Sequence, residues 1–150
     1  MRTSIAFVGI GLLIGAALGV GAYTFVYARG YSYLTNDPAA CANCHAMEQY
    51  YSGWMKGPHR TAALCNDCHT PHDLAGKYAT KASNGFWHSF YFTSGRYADV
   101  IQAKQHSIEI TERACRRCHA DIVQAIDTFP PHRTGGEMSC IRCHADAGHL

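Results

Sequence analysis

The sequence predicts an all-α, irregular fold with one N-terminal transmembrane helix and a second domain of short helices and loops. Three observations predict it. Residues 3–28 contain no charged side chain, the motif CxxCH occurs four times after them, and glycine and proline interrupt the chain at residues 52–59 and 127–137. We therefore assign residues 1–30 to a membrane anchor and residues 31–150 to the domain that carries the motifs, and we expect little or no sheet.

The apolar stretch at residues 3–28 is long enough to cross a bilayer, because about 20 apolar residues span one as a helix. A cleaved secretory signal is the alternative, with VGA at 20–22 as a weak cleavage site. The stretch is longer than the apolar core of an ordinary signal, which favours an anchor. Tyrosines crowd its C-terminal end, as in an interfacial aromatic belt: Tyr23, Tyr27, Tyr31 and Tyr33.

Glycines at every fourth position form a small-residue face on this helix: Gly11, Gly15 and Gly19. Another membrane helix could pack closely there, so self-association or contact with a partner's helix is one interpretation. Glycine that only faces lipid is the other, because GxxxG is common in membrane helices. The sequence leaves both interpretations open.

The charge pattern predicts the side of the membrane and excludes one class of partner. Arg2 before the apolar stretch weakly favours a cytoplasmic N-terminus. The rest of the chain would then lie on the outer, periplasmic side of the cytoplasmic membrane, where cysteine-rich domains are normally found. The net charge is only +2, and no basic stripe with interleaved aromatic residues is present, so we expect no nucleic-acid partner.

Every cysteine of the chain belongs to a CxxCH motif, the attachment signature of c-type haem. Two thioether bonds fix the porphyrin, and the imidazole of the next residue lies under the iron. The eight cysteines form four pairs, each followed by a histidine: Cys41, Cys44 and His45; Cys65, Cys68 and His69; Cys115, Cys118 and His119; Cys140, Cys143 and His144. The sequence thus predicts an all-α, irregular multihaem domain with four covalently bound haem c groups, each holding an iron.

Zinc and disulfides are the rival interpretations of the cysteines. Four CxxC pairs could build two Cys₄ zinc sites, and a disulfide framework could use the same residues. Neither requires a histidine directly after each pair. Since 10 of the 150 residues are histidine, four such coincidences have odds of about one in 50,000, which favours haem.

The motifs are arranged as a duplicated two-haem module. In both halves a motif is followed by alanine, then by Pro-His-Arg-Thr, and then by the second motif. The modules are residues 41–69 and 115–149, and the connector between them, residues 70–114, does not repeat. We therefore look for a unique function in the connector. An extended helical pattern is found there at residues 97–113, and we find no other outside the anchor.

Histidines outside the motifs are candidates for the second axial position of the irons: His59, His72, His88, His106, His132 and His149. His59 and His132 occupy equivalent places in the two modules, and a ligand at His149 would hold the C-terminal tail. His59 and His149 are therefore the favoured ligands, and His132 is a further candidate. His72 follows its own motif too closely to reach the opposite face of that haem. His106 lies among polar residues, which favours a surface position.

The first motif offers its iron a choice of ligand. His45 is the motif histidine, and Met47 follows it by two residues. Methionine also binds haem iron. Because the two residues lie so close on one stretch of chain, they compete for one face of the iron.

Several of these features together resemble the NapC/NirT family of membrane-anchored tetrahaem quinol dehydrogenases. They are the single apolar helix, the four CxxCH motifs, CNDCHTPH at 65–72 and a closing CxxCH-x₄-H. The short length, CHAM at 44–47 and the ending at His149 are most similar to the family's nitrite-reductase branch. The resemblance implies axial ligands for each iron, in motif order: Met47 in place of His45; His69 with His149; His119 with His59; His144 with either His132 or a lysine of a partner enzyme.

The resemblance also implies a quinol site beside haem 1 at the membrane surface, near a lysine and an aspartate that follow the second motif. The lysine matches Lys81, whereas His88 stands at the aspartate position. His88 would either accept the quinol proton, since an imidazole titrates near neutral pH, or bind iron 1 opposite Met47 and close the site.

The expected function is that of a quinol dehydrogenase in the cytoplasmic membrane. It would take electrons from menaquinol near haem 1 and pass them to a periplasmic multihaem reductase, nitrite reductase forming ammonium. Two alternatives stay open. One is a docking and wiring subunit without its own quinol site, and the other is a donor to a reductase of nitrate, trimethylamine oxide or hydroxylamine.

Overall fold

The computed structural model of the chain describes residues 2–98, 100–128 and 138–149. It divides into two compact units, with the boundary between Ser32 and Tyr33. Within the described residues the fold is helical and contains no strand, which confirms the all-α expectation.

The N-terminal unit consists mainly of helix α1, Arg2–Tyr27. Its segment Thr3–Tyr27 has a mean hydropathy of 2.3, and in the described part of the chain it alone is long and apolar enough to cross a membrane. After the helix Arg29 adopts a φ of 52°, a left-handed conformation that a continuing helix does not allow. The apolar helix is thus confirmed. Association through its glycine face stays a prediction, and the space beside the glycines is open: Gly11, Gly15 and Gly19.

The second unit is built from short helices, apart from α5 and α6. The helices are α2 Pro38–Cys41, α3 Glu48–Lys56, α4 Cys65–His69, α5 Leu74–Thr93, α6 Gln105–Cys118, α7 Ala120–Thr128 and α8 Cys140–Cys143. Turns of 3₁₀ helix lie at Gly30–Leu34, His45–Met47 and Pro58–Thr61. In the second, third and fourth motifs both cysteines lie on one helix, three residues apart, so they share a face from which one porphyrin can be held.

The helices that carry successive motifs pack against one another in motif order. Helix α2 packs on α4, α4 packs on α6, and α6 packs on α8. Each haem attachment site therefore lies beside the next one along the chain.

Polar side chains within or beside the motifs fix where the motif helices begin. At α4 the Leu64 N–H donates to Asp67 Oδ2 at 2.8 Å. At α8 the Ser139 hydroxyl oxygen accepts from the Arg142 N–H at 3.3 Å. These bonds satisfy N–H groups that the first turn of a helix cannot pair within itself.

The helix predicted at residues 97–113 is wrong in its first half. Residues 97, 98 and 100–104 are not helical, and α6 begins only at Gln105. Lys104, directly before it, is extended with φ −72° and ψ 155°. The start of the helix is therefore set by local backbone geometry rather than by the apolar spacing.

Helix α5 fills much of the connector, and the sequence pattern did not predict it. Asp73 caps its start, with Oδ1 accepting from the Gly76 N–H at 2.6 Å. Gly95 ends it at a φ of 66°, a conformation that glycine adopts without strain. Glycines in the interior and aromatic residues on several sides hide the 3.6-residue apolar period by which such a helix is recognised.

The loop predicted at residues 52–59 is also partly wrong, because α3 continues to Lys56. Its Trp54 is buried and donates its Nε1–H to the Ala63 carbonyl at 3.0 Å. A buried indole with its N–H satisfied stabilises this turn of helix enough to offset the weak helix preference of Gly53.

Candidate haem ligands and quinol site

The structure brings two pairs of histidines into facing positions. The ring centroids of His59 and His119 are 6.1 Å apart, and those of His69 and His149 are 5.9 Å apart. Two imidazoles that bind one metal ion from opposite sides, with metal–nitrogen distances of about 2 Å, have centroids about 6 Å apart. The spacing therefore fits one haem iron between the members of each pair.

Backbone carbonyls orient the two histidines that lie outside the motifs. His59 Nδ1 donates to the Ala147 carbonyl at 2.8 Å, and His149 Nδ1 donates to the Tyr50 carbonyl at 2.9 Å. A carbonyl can only accept, so the hydrogen lies on Nδ1 and the lone pair of Nε2 is left for a metal. Metal-bound histidines are commonly held in this way.

The first motif presents its two candidate ligands differently. His45 is fully exposed, with Nδ1 3.8 Å from Glu48 Oε2. Met47, on the same 3₁₀ turn, is half-buried. A surface pair of this kind holds the imidazole only weakly. The environment of the thioether is thus the more suitable one for a ligand to a haem inside the domain.

Among the residues that the structure describes, the remaining histidines fall into no such pair. His144 follows α8 and is exposed, and its candidate partner His132 lies outside the described residues. His72 and His106 are exposed as well, and a surface position was the expectation for His106. The choice between His132 and a partner's lysine for haem 4 stays open.

Lys81 is a buried lysine of α5 whose amino group makes two hydrogen bonds within the domain. Its side chain is 6% exposed, and Nζ donates to the Thr35 carbonyl at 2.7 Å and to Asn36 Oδ1 at 3.1 Å. Asn66 of the second motif donates to the same two oxygens. Burial, together with the nearby Lys77, lowers the pKa of Lys81. Lys81 thus ties α5 to the segment before the first motif.

His88 lies on the same face of α5 as Lys81 and contacts the same N-terminal segment. The Tyr33 hydroxyl and His88 Nδ1 form a hydrogen bond of 3.0 Å. A Cβ added at Gly85, between them on the helix, would lie 3.4 Å from the Tyr33 ring, about van der Waals contact, so the ring packs directly against this turn of α5. Partial burial and the cation of Lys104 lower the pKa of His88, whereas burial raises the pKa of Tyr33 to about 12.

An open cleft of about 450 Å³ borders the first motif. Its lining residues include His45, Glu48, Tyr97 and Ile101. Neither Lys81 nor His88 lines the cleft. The two residues that the family resemblance implies for the quinol site thus lie apart from this cleft.

A family model described as the NapC/NirT cytochrome c family, N-terminal region, matches residues 1–150. The chain belongs to this family. It is accordingly a c-type cytochrome with covalently bound haem, and helix α1 makes it a single-pass membrane protein.

Curated relatives and a solved structure resemble this NapC/NirT cytochrome. It is 34% identical over 112 residues to the cytochrome c-type protein NrfH of Wolinella succinogenes and 35% identical over 108 residues to the cytochrome c nitrite reductase subunit NrfH of Nitratidesulfovibrio vulgaris. The alignments cover 74% and 72% of this chain, and 63% and 66% of the relatives, slightly less than two thirds of their length.

The solved structure is a crystal structure of the cytochrome c nitrite reductase NrfHA complex bound to the HQNO inhibitor. The similarity has a TM-score of 0.65 at 28% identity, and it covers 93% of this chain and 90% of that chain. Fold and sequence are therefore alike over nearly the whole cytochrome.

Glu112 joins the third and fourth motifs of this NapC/NirT cytochrome, a role that sequence reasoning missed. Its carboxylate accepts from the Ser139 hydroxyl at 2.5 Å, the Cys140 N–H at 2.9 Å and the Ile141 N–H at 3.2 Å. Burial by itself would raise the pKa of Glu112, but these hydrogen bonds outweigh it and lower the pKa. An acidic residue three positions before a CxxCH motif was the one available signal, and it does not reveal a partner 28 residues away.

Replacing Glu112 with glutamine is expected to lower the free energy of unfolding by about 2 kcal/mol, because hydrogen bonds to a charged acceptor are stronger than those to an amide. The folded-state pKa of Glu112 is lowered, so its contribution is present above the ordinary carboxyl pKa and is lost as pH falls through the folded value. Thermal unfolding at neutral and acidic pH measures this. The variant should be less stable at pH 7, and the difference should vanish in acid.

Glu109→Gln is the matched control, since Glu109 lies on the same helix and is exposed. Its stability should stay within about 0.5 kcal/mol of the wild type. Equal effects of the two substitutions would contradict the role of Glu112.

Proposed function

We propose that this cytochrome oxidises menaquinol and delivers the electrons, through four covalently bound haem c groups, to a periplasmic multihaem nitrite reductase that forms ammonia. The observation that carries the proposal is the likeness of 93% of the chain to a chain of the NrfHA complex, supported by the identity to two NrfH proteins. Residues 1–30 anchor the protein in the cytoplasmic membrane, and residues 31–150 form the haem domain on its periplasmic side.

The thioether bonds use all the cysteines: Cys41, Cys44, Cys65, Cys68, Cys115, Cys118, Cys140 and Cys143. The axial ligands are Met47 for haem 1, His69 with His149 for haem 2, His119 with His59 for haem 3, and His144 with His132 or a partner's lysine for haem 4. The centroid distances of 5.9 and 6.1 Å support the two histidine pairs. When bound, the haems supply one-electron transfer.

The order of the motif helices supports a relay from the first haem to the fourth. Because α2 packs on α4, α4 on α6 and α6 on α8, consecutive attachment sites are neighbours. Residues 41–69 and 115–149 act as two dihaem modules, and packing of α4 on α6 joins them. The chain thus supplies the scaffold for stepwise transfer.

His88 acts as the base for quinol oxidation. Conversion of a quinol to a quinone releases two protons and two electrons, and the electrons leave one at a time. In the tautomer with the hydrogen on Nδ1, His88 donates to the Tyr33 oxygen, and the lone pair of Nε2 can then take one of the two hydroxyl protons. The lowered pKa of His88 keeps the imidazole neutral at pH 7 and therefore able to accept. Lys81 positions the segment that carries Tyr33, through Thr35 and Asn36.

Co-purification from detergent-solubilised membranes, followed by an assay of quinol-dependent nitrite reduction, tests the proposal. We expect a multihaem nitrite reductase to accompany the cytochrome, and the reconstituted complex to reduce nitrite with menaquinol. HQNO, the inhibitor bound in the related complex, should lower that rate. A complex without any quinol-dependent activity would refute the proposal.

A docking and wiring subunit is the second candidate, and one observation favours it. The Lys81 amino group already donates to two oxygens of its own chain, which is the pattern of a structural lysine rather than of a free binding group. In that case the quinol would be oxidised elsewhere, and this chain would not react with quinol alone.

Substitution of Met47 by leucine is expected to change the spin state of one haem and to lower quinol-dependent turnover at least about tenfold, because the iron loses its thioether ligand. Electron paramagnetic resonance of the oxidised protein and steady-state assays measure the two effects. Met55→Leu, on α3, is the matched control and should change neither. An unchanged spectrum in the Met47 variant would exclude that residue as the ligand.

A further inference from the structure

The C-terminal half of α5 is an uncharged, aromatic stretch that neither the haem ligands nor the quinol base explains. Residues 82–95 contain no charged side chain and include five Phe, Trp or Tyr residues. Several are left uncovered by the rest of the polypeptide: Phe86 is 62% exposed, Trp87 42%, Phe90 43% and Phe92 66%. So much exposed aromatic surface on one helix indicates a binding surface.

Helix α5 has one face that contacts the rest of the domain and an opposite face that is aromatic. At about 100° per residue, Lys81, Gly85 and His88 share one face of the helix, and that face contacts Tyr33, Thr35 and Asn36. The same spacing puts Phe86, Trp87 and Phe90 on the opposite side. We call these three residues the aromatic face; it points away from the segment that holds α5 to the domain.

The rings of the aromatic face contact one another and have a cation beside them. Phe86 and Trp87 have centroids 5.2 Å apart, and Trp87 and Phe90 have centroids 5.9 Å apart. Lys104 Nζ lies 5.6 Å from the centroid of the Trp87 ring and 5.2 Å from that of Tyr91. Aromatic rings with a lysine beside them are the composition of protein surfaces at the membrane–water boundary.

The connection between the anchor and the second unit is short, and this favours lipid as the binding partner of the aromatic face. Five residues, 28–32, separate the last residue of α1 from Tyr33. Even fully extended, that connection reaches only about 20 Å. Tyr33 is hydrogen-bonded to His88 in the middle of α5, so along the chain α5 is joined to the end of the anchor through this short connection and one side-chain contact.

We propose that the aromatic face, Phe86, Trp87 and Phe90, inserts into the interfacial region of the bilayer, with Lys104 and Arg96 at the level of the lipid phosphates. Arg96 directly follows the uncharged stretch. Such a helix lies in the membrane plane with its apolar side among the headgroups and upper acyl chains. The inference does not depend on the proposed quinol chemistry. It holds equally for a docking subunit.

Carbene labelling of the full-length holoprotein tests the proposal. The protein is reconstituted in liposomes of phosphatidylethanolamine and phosphatidylglycerol that contain a diazirine phospholipid, and adducts are mapped by peptide mass spectrometry after illumination. We expect adducts on peptides from residues 82–95 as well as from the anchor. The control surface is α7, where Ile122 and Ile126 are 60% and 41% exposed. Labelling of 82–95 should exceed labelling of α7 at least about fivefold.

A double substitution, Phe86→Ser with Phe90→Ser, should reduce adducts on residues 82–95 at least about fivefold and leave anchor labelling and haem content unchanged. Two results would overturn the proposal. One is labelling of 82–95 in the wild type no higher than that of α7. The other is loss of this labelling when the purified reductase is added, which would assign the aromatic face to the protein partner.

Discussion

Replacement of His149 with alanine is expected to convert one low-spin haem into a high-spin haem and to slow electron transfer to the reductase at least about tenfold. The geometry pairs His149 with His69 at 5.9 Å, so the substitution removes one of two axial ligands. A shift of about 59 mV in the reduction potential of one haem already changes a one-electron equilibrium tenfold. Electron paramagnetic resonance, a potentiometric titration and the rate of nitrite reduction measure the effect.

The control for His149 is His72→Ala. His72 is an exposed histidine three residues after His69 of the second motif, and it is not part of either facing pair. Its removal should leave the spin states and the rate unchanged. His59→Ala should reproduce the His149 effect on a different haem. Retention of all low-spin signals in the His149 variant would contradict the assignment of that pair.

Substitution of His88 with asparagine is expected to lower quinol oxidation about 10²- to 10⁴-fold, the usual contribution of a general base. Nitrite reduction driven by a small artificial donor that reduces the haems directly should stay at the wild-type rate. That contrast separates loss of the base from loss of the relay. His106→Asn, at an exposed position on α6, is the matched control.

The pH dependence of the wild type gives a further readout of the same residue. Because burial and Lys104 lower the pKa of His88, the imidazole stays neutral through the neutral range and is protonated only below its ordinary pKa. Quinol oxidation should therefore fall as pH decreases through that lowered value. The asparagine variant should lack this acid limb. If both proteins lose activity over the same pH range, His88 is not the base.

Most of what could be predicted about the fold came from the CxxCH motifs and the apolar stretch that precedes them. A CxxCH motif indicates haem attachment within only five residues, and the length of the apolar stretch before the motifs shows that it can span a bilayer. The anchor and the all-α haem domain could therefore be predicted from the sequence. Helix α5 could not be predicted in this way. Asp73 caps its start and Gly95 ends it, but its interior mixes glycine with aromatic residues and shows no clear helical pattern. The start of α6 was misplaced because Lys104 is extended.

The candidate site shows the same division between local and distant information. His59 and His149 could be singled out by counting ligands, but their partners and their Nδ1 anchors at Ala147 and Tyr50 lie far away in sequence. Tyr33 was interpreted only as a residue of the aromatic belt, and its contact with His88 spans 55 positions. A pattern within a short window cannot indicate such contacts, which depend on how the helices pack.

Anaerobic mixing of the purified cytochrome with menaquinol, in the absence of any reductase, tests whether this chain oxidises quinol itself. Stopped-flow absorbance follows the haems. We expect menaquinol alone to reduce them, HQNO to slow this reduction, and the His88→Asn variant to be reduced far more slowly. If the haems stay oxidised with menaquinol and yet are reduced by the artificial donor, this chain does not oxidise quinol and acts as a docking and wiring subunit.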